Sequence, residues 1–180
     1  MTTHIALLRA INVGGAKPIG MADLRGFFGE LGCEDVRSLL QTGNIVFRSG
    51  AKTGTTLERL LEAEAEQRLG LSTAFFVRSA SEWEAIVARN PFPKQAAADP
   101  AHLLVMFLKG APPASSEKTL QAAIQGPEIV VLVDKQLYVV YPAGIGRSKL
   151  TNKLIESKLG TSSTGRNWNT VLKIAELARA

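Results

Sequence analysis

Three stretches of the chain carry more glycine and more cationic or amide side chains than a turn needs. The first is Arg9-Ala10-Ile11-Asn12-Val13-Gly14-Gly15-Ala16-Lys17. Successive backbone N–H groups around a Gly-Gly pair can form a nest for an anion, here flanked by Arg9 and Lys17 with Asn12 nearby. The same pair also serves an ordinary long turn, because glycine supplies positive φ without steric cost. The second stretch, Tyr141-Pro142-Ala143-Gly144-Ile145-Gly146-Arg147-Ser148-Lys149, runs from a strand pattern into a helix pattern. A helix N-terminus presents unpaired N–H groups to an anion; Arg147 and Lys149 add two cations, and Ser148 has the chemistry of a cap.

The third stretch is Thr164-Gly165-Arg166-Asn167-Trp168-Asn169-Thr170. Asn167 or Asn169 can cap a final helix while Trp168 packs inward, which leaves Arg166 to clamp a carboxylate or phosphate, or to stack on a base. A fourth string, Gln41-Thr42-Gly43-Asn44, is chiefly turn chemistry, with Gln41 its one candidate for ligand contact.

Named nucleotide motifs do not fit these loops. A dinucleotide fingerprint requires glycine where Lys149 stands, and a P-loop requires four residues between its glycines where only Ile145 separates Gly144 from Gly146. No nucleophile, base and oxyanion set is visible. His4 and His102 begin two strand patterns, where solvent-facing positions are expected, and neither has a ligand partner at metal spacing, so no metal and no cofactor is expected. Asp23, Glu62 and Glu156 fall on helical patterns and are expected to be solvated. The single cysteine, Cys33, excludes an internal disulfide and reads as a small apolar residue at a helix end.

Composition bounds the rest. A chain of 180 residues that is 46% hydrophobic can bury a core as one domain or two small ones. A charge of +5 and a pI near 9.6 permit an acidic partner such as phosphate or nucleic acid. The N-terminal apolar stretch lacks a preceding basic run and is broken by Arg9, unlike a signal peptide, and no apolar run approaches a membrane span, so a cytoplasmic location is expected.

The elements that must position the polar loops come in a repeated order. A short apolar run at 5–8 predicts a strand, and the spacing of Met21, Leu24, Phe27, Phe28 and Leu31 predicts a helix ending at Gly32. Strands follow at 35–41 and 44–47, then a helix through Leu57, Leu61 and Ala65, then a strand at 73–77. A helix over 81–89, with Ser81 and Glu84 as its capping box, leads to a linker at 91–100. The second copy has a strand at 102–108, a helix over about 115–124, a hairpin of 129–133 and 137–141, a helix through Leu150 to Leu159, and a last strand at 161–165. The expected fold is therefore α+β: two tandem ferredoxin-like βαββαβ units with antiparallel sheets, at 1–80 and 101–180, joined through 81–100 and finished by a C-terminal helix.

These strings resemble a bacterial family known as domain of unknown function 1697. The resemblance runs from Leu8-Arg9-Ala10-Ile11-Asn12-Val13-Gly14-Gly15 through Gln41-Thr42-Gly43-Asn44 and Asn90-Pro91-Phe92. It continues in Ser148-Lys149-Leu150-Thr151-Asn152 and 164–170. It departs at Ala10, more often glycine, and at Leu39-Leu40, commonly Thr-Tyr. The resemblance implies two small α/β units in tandem, adds Asn152 to the candidate ligand-binding set, and brings no activity or cofactor.

The leading functional expectation is that loops from both halves converge on a cleft that binds a phosphate-bearing small molecule or a nucleic acid. A second reading is an enzyme on a small acidic or phosphorylated substrate, with Arg166 and Lys149 as electrostatic clamps, although no general base is evident. A third is an interaction module that pairs through its sheet faces or edges.

Overall fold

The structure, a computed structural model, describes residues 1–9, 18–50 and 52–180. Its elements run β1 (Thr2–Leu8), α1 (Met21–Glu30), β2 (Glu34–Leu39), β3 (Asn44–Ser49), α2 (Gly54–Leu69) and β4 (Phe75–Ser79), then α3 (Ala80–Ala88) and α4 (Pro93–Ala98). A 3-10 turn at Pro100–His102 precedes β5 (Leu103–Leu108), α5 (Ser116–Ala123), β6 (Ile129–Val133), β7 (Gln136–Val140), α6 (Asn152–Leu159), β8 (Ser163–Asn167) and α7 (Trp168–Arg179). Two compact units result: Met1–Ala85 with Lys173–Ala180, and Ile86–Leu172. The stretch expected as a linker carries α4, with Pro93 at its first turn, where a missing N–H costs nothing.

The fold is α+β, with two four-stranded antiparallel sheets and seven α-helices among the described residues. Strand order is β2-β3-β1-β4 in one sheet and β6-β7-β5-β8 in the other. The inner strands β1 and β5 come from the two continuous apolar runs, and both of their faces are buried. On one face of the first sheet Ala6, Leu8, Phe47, Phe75 and Val77 pack with Leu24 and Phe28 of α1 and Leu61 of α2. On the other, Ile5, Leu7, Val46 and Phe76 are equally inaccessible. The second sheet repeats this, with Met106, Leu108 and Val139 against Leu120, Ile155 and Leu159. Its opposite face holds Leu103, Val105, Phe107 and Tyr138. The Tyr138 hydroxyl donates to the Ile86 carbonyl of α3 at 2.7 Å, and burial pushes its pKa up to about 12.

Edge strands are closed by helix side chains. The Val77 and Phe75 N–H groups of β4 donate to Glu58 Oε1 at 2.9 Å and Glu62 Oε1 at 3.0 Å, both on α2. Along β6, the Leu132 N–H donates to Glu117 Oε2 at 2.7 Å and the Val130 N–H to Gln121 Oε1 at 3.3 Å. Glu62 is therefore engaged with an edge strand, contrary to the solvated position expected from its helix face. On β2 a register shift between Glu34 and Arg37 interrupts the edge.

Several local expectations are corrected. The capping box of α3 is Ser79 with Glu82, each accepting the other's N–H at 3.1 and 2.7 Å, because β4 passes directly into the helix two residues earlier than the pattern implied. Glu84 instead holds Arg179 with two bonds, at 2.7 and 2.8 Å. The last strand is set by its register with β5, Ser163 opposite Leu108 and Asn167 opposite Leu104, two residues beyond the expected span. Cys33 packs half-buried on the first core, and burial raises its thiol pKa, as suits an unreactive residue.

His4 departs most from expectation. β1 is an inner strand, so His4 is 1% exposed, its ring 5.6 Å from that of Phe47, and neither ring nitrogen has a hydrogen-bond partner among the described residues. Desolvation lowers its pKa, with Glu82 opposing weakly. The unfolded chain then takes up this proton first as pH falls through about 6.5, so His4 costs stability in acid. We expect stability measured by urea unfolding to drop more between pH 7 and pH 5 in the natural protein than in His4→Phe.

Glu58 gives a second expectation. It is buried beside Arg78 at 3.8 Å besides accepting from Val77. Glu58→Ala should lose about 3–5 kcal/mol in urea unfolding, because it strands a buried guanidinium, and Glu58→Gln should lose less.

Candidate functional site

The second unit builds one polar hollow from two connections. At the end of β7 the Tyr141 N–H donates to the His102 carbonyl at 2.8 Å. The Tyr141 hydroxyl donates to the Leu150 carbonyl at 2.9 Å and fixes the far end of the loop. Burial, with a smaller push from Glu128, raises the Tyr141 pKa to about 12, so this phenol stays protonated. Between these ties Gly144 and Ser148 close turns onto the Tyr141 and Ile145 carbonyls, at 3.0 and 3.1 Å.

Ser148 does not cap the following helix. Thr151 does, its Oγ1 accepting the Leu154 N–H at 3.3 Å, because α6 starts only at Asn152. The Ser148 hydroxyl donates instead to Glu128 Oε1, and its oxygen accepts the Leu150 N–H at 3.0 Å. Glu128 is 7% exposed, and its Oε2 has no hydrogen-bond partner among the described residues. A Cβ at Gly126 would collide with that oxygen, so a side chain there would require the carboxylate to shift.

Gly126, Glu128, Gly144, Arg147, Ser148 and Lys149 line a cavity of about 310 Å³. Arg147 and Lys149 are exposed on its wall. Two cations and one buried carboxylate are the ionisable groups of the described lining, which therefore carries net positive charge. A larger hollow of about 410 Å³ lies in the first unit, between α1 and the end of α2. Among the described residues its ionisable lining groups are the carboxylates Asp23 and Glu30, which disfavour an anion.

The remaining candidates are placed elsewhere. Asn152 is exposed at the first position of α6, outside that cavity. Asn167 caps α7, its Oδ1 accepting the Thr170 N–H at 3.0 Å, and Asn169 is exposed on the helix. Arg166 is buried on β8, its Nη1 donating to Thr164 Oγ1 and the Gly165 carbonyl, each at 2.9 Å. Burial pulls its pKa down to about 10, which leaves it a cation at neutral pH. Arg78 has the matching place on β4: it stands opposite Ile5 as Arg166 stands opposite Val105, and its Nη1 donates to the preceding carbonyl at 2.9 Å. A feature built into both sheets is first a structural one.

Arg9 and Gln41 belong to the first unit. The Arg9 backbone is tied to the start of β4, its N–H donating to the Ala74 carbonyl at 3.1 Å and its carbonyl accepting from Thr73 Oγ1 at 2.7 Å. Gln41 is exposed in the β2–β3 turn, which Asn44 braces through the Leu39 carbonyl at 2.8 Å. Asn12, Gly14, Gly15 and Lys17 lie outside the described residues.

Sequence reasoning missed Glu128. It opens the apolar run of β6, a carboxylate where a strand pattern begins, but only the long-range contact to Ser148 marks it as part of a site. No group of three His, Cys, Asp or Glu among the described residues can hold a metal ion. No helix there is long and apolar enough to cross a membrane.

Residues 1–138 match the family model of proteins of unknown function designated DUF1697. The chain belongs to that family. The matched span of this DUF1697 protein takes in Gly126 and Glu128 and stops before the loop that carries Arg147 and Lys149. A conserved bacterial protein of Streptococcus pneumoniae has the same fold, with a TM-score of 0.76 at 23% identity over 98% of each chain. Comparison with curated proteins gives no match.

Ser148→Ala removes the donor to Glu128 and the acceptor for Leu150. Urea unfolding should show a loss of about 1–3 kcal/mol, whereas Arg147→Ala, on the exposed wall, should change stability by less than about 0.5 kcal/mol.

Proposed function

We propose that this DUF1697 protein binds a small phosphate-bearing ligand in the β7–α6 cavity of its second unit. The observation that carries this reading is the pair of exposed cations, Arg147 and Lys149, on the wall of one hollow whose floor includes Gly126 and Gly144. Guanidinium and ammonium groups supply charge-assisted bonds to phosphate oxygens, and glycine lets a ligand approach the backbone. A volume near 310 Å³ suits a small molecule, at the lower end of ordinary ligand pockets. It favours such a ligand over a nucleic acid, which needs an extended cationic track.

The strand orders, read with the βαββαβ succession in each unit, support a ferredoxin-like description of both. That scaffold leaves the β7–α6 connection free to vary without disturbing the core. The reading of the chain as an interaction module that adds strands at its sheet edges is less favoured, since side chains of α2 and α5 already occupy outward N–H groups of β4 and β6.

Calorimetric titration at low salt with inorganic phosphate and a nucleoside 5′-monophosphate tests the proposal. At least one should bind, the double variant Arg147→Ala/Lys149→Ala should weaken it about tenfold or more, and raising salt should weaken it modestly. No binding of either probe, or binding untouched by the double variant, would overturn the reading.

A further inference from the structure

We propose that Glu128 selects the part of the ligand that is not phosphate, accepting a hydroxyl hydrogen bond, so that the site takes a phosphorylated polyol such as a sugar phosphate in preference to bare phosphate. The inference rests on the phosphate-binding reading above and adds the chemistry of the rest of the molecule. A carboxylate is the wrong group for a site that recognises only an anion, since like charge repels. Yet Glu128 lines the same cavity as Arg147 and Lys149. Its presence makes sense where the bound molecule is anionic at one end and a hydrogen-bond donor at the other.

The geometry specifies how many donors. An ionised carboxylate only accepts. Ser148 occupies Oε1, while Oε2 is buried and unpartnered. One oxygen without a partner among the described residues suits a single hydroxyl, whereas an amidine-like or guanine-like edge needs both oxygens side by side. Ser148 is held between the two cations in sequence and bonds Glu128 directly, which brings the acceptor and the cationic wall within the span of one small ligand. Gly126 completes the arrangement, since any side chain there would push the carboxylate aside.

Leaving a buried acceptor unsatisfied is costly, so the hydroxyl that fills it contributes to affinity and its loss is felt. The test compares inorganic phosphate with ribose 5-phosphate by calorimetry on the whole chain, using the natural protein, Glu128→Ala and Glu128→Gln, with thermal melts to identify folded variants. The natural protein should bind ribose 5-phosphate about tenfold or more tighter than phosphate. Glu128→Ala should remove most of that difference, its affinity for ribose 5-phosphate falling to within about threefold of its affinity for phosphate measured on the same variant. If Glu128→Ala does not fold, Glu128→Gln carries the comparison, because its shape is conserved and its amide cannot accept through both terminal atoms.

Equal affinity for the two probes would overturn the selection by Glu128 and leave the phosphate site standing. A preference for ribose 5-phosphate that survives in the folded variant would overturn the role of Glu128 alone. If neither probe binds the natural protein, the inference and the reading beneath it fall together.

Discussion

Two strands that are apolar on both faces constrain everything else in this protein. An inner strand with Ile5, Ala6, Leu7 and Leu8 all inaccessible cannot sit in a sheet with one wet face. The same holds for Val105, Met106, Phe107 and Leu108 of β5. A four-stranded sheet with two helices buries only one side, so each sheet requires a further cover over its second face. The Tyr138 bond to the Ile86 carbonyl shows one such attachment, within the second unit. His4 shares its face of β1 with Ala6 and Leu8 and is buried with them, so a residue with two polar nitrogens ends up where neither has a partner among the described residues.

Double burial has a second consequence, since each strand edge then meets water close to an apolar interior. The chain answers with carboxylates and an amide on helices: Glu58 and Glu62 for β4, Glu117 and Gln121 for β6. Such contacts satisfy backbone donors that would otherwise invite another strand. Glu58 serves twice, since its buried charge needs Arg78 nearby as much as Arg78 needs it. Removing one partner of such a pair leaves the other charged and dry, which is why fold stability concentrates in a few polar positions.

What the sequence made legible follows from the range of the interactions involved. Periodicity and apolar runs gave the alternation of strands and helices in both halves, because core burial leaves its mark within ten residues. The hairpin at Asp134 and Lys135 was readable for the same reason, with Asp134 accepting the left-handed conformation at φ 52° that such turns demand. By contrast, the true capping box of α3 lay two residues from the expected one, since no local signal says that a strand passes without a break into a helix. The burial of His4 was hidden because strand order, not strand pattern, decides which strands lie inside. Glu128 was hidden more deeply, as its partner Ser148 lies 20 residues along the chain.

Repetition within the fold separates scaffold from site. Arg166 has Arg78 at the matching register, and Asn167 capping α7 has Ser79 capping α3. Features present twice answer needs that both sheets share. The connection between the third strand of a unit and its second helix is different: it occupies residues 50–53 in the first unit and 141–151 in the second. The added length is where Arg147, Ser148 and Lys149 reside, and Glu128, the partner of Ser148, lies in a second connection that is longer in this unit, residues 124–128 against 31–33. A fold that needs neither extension for its core has kept two that meet through one hydrogen bond and enclose a charged hollow. Lengthened loops cost conformational entropy when ordered. This pair is ordered by Tyr141, Ser148 and Glu128, so its order comes from polar ties rather than from core packing alone.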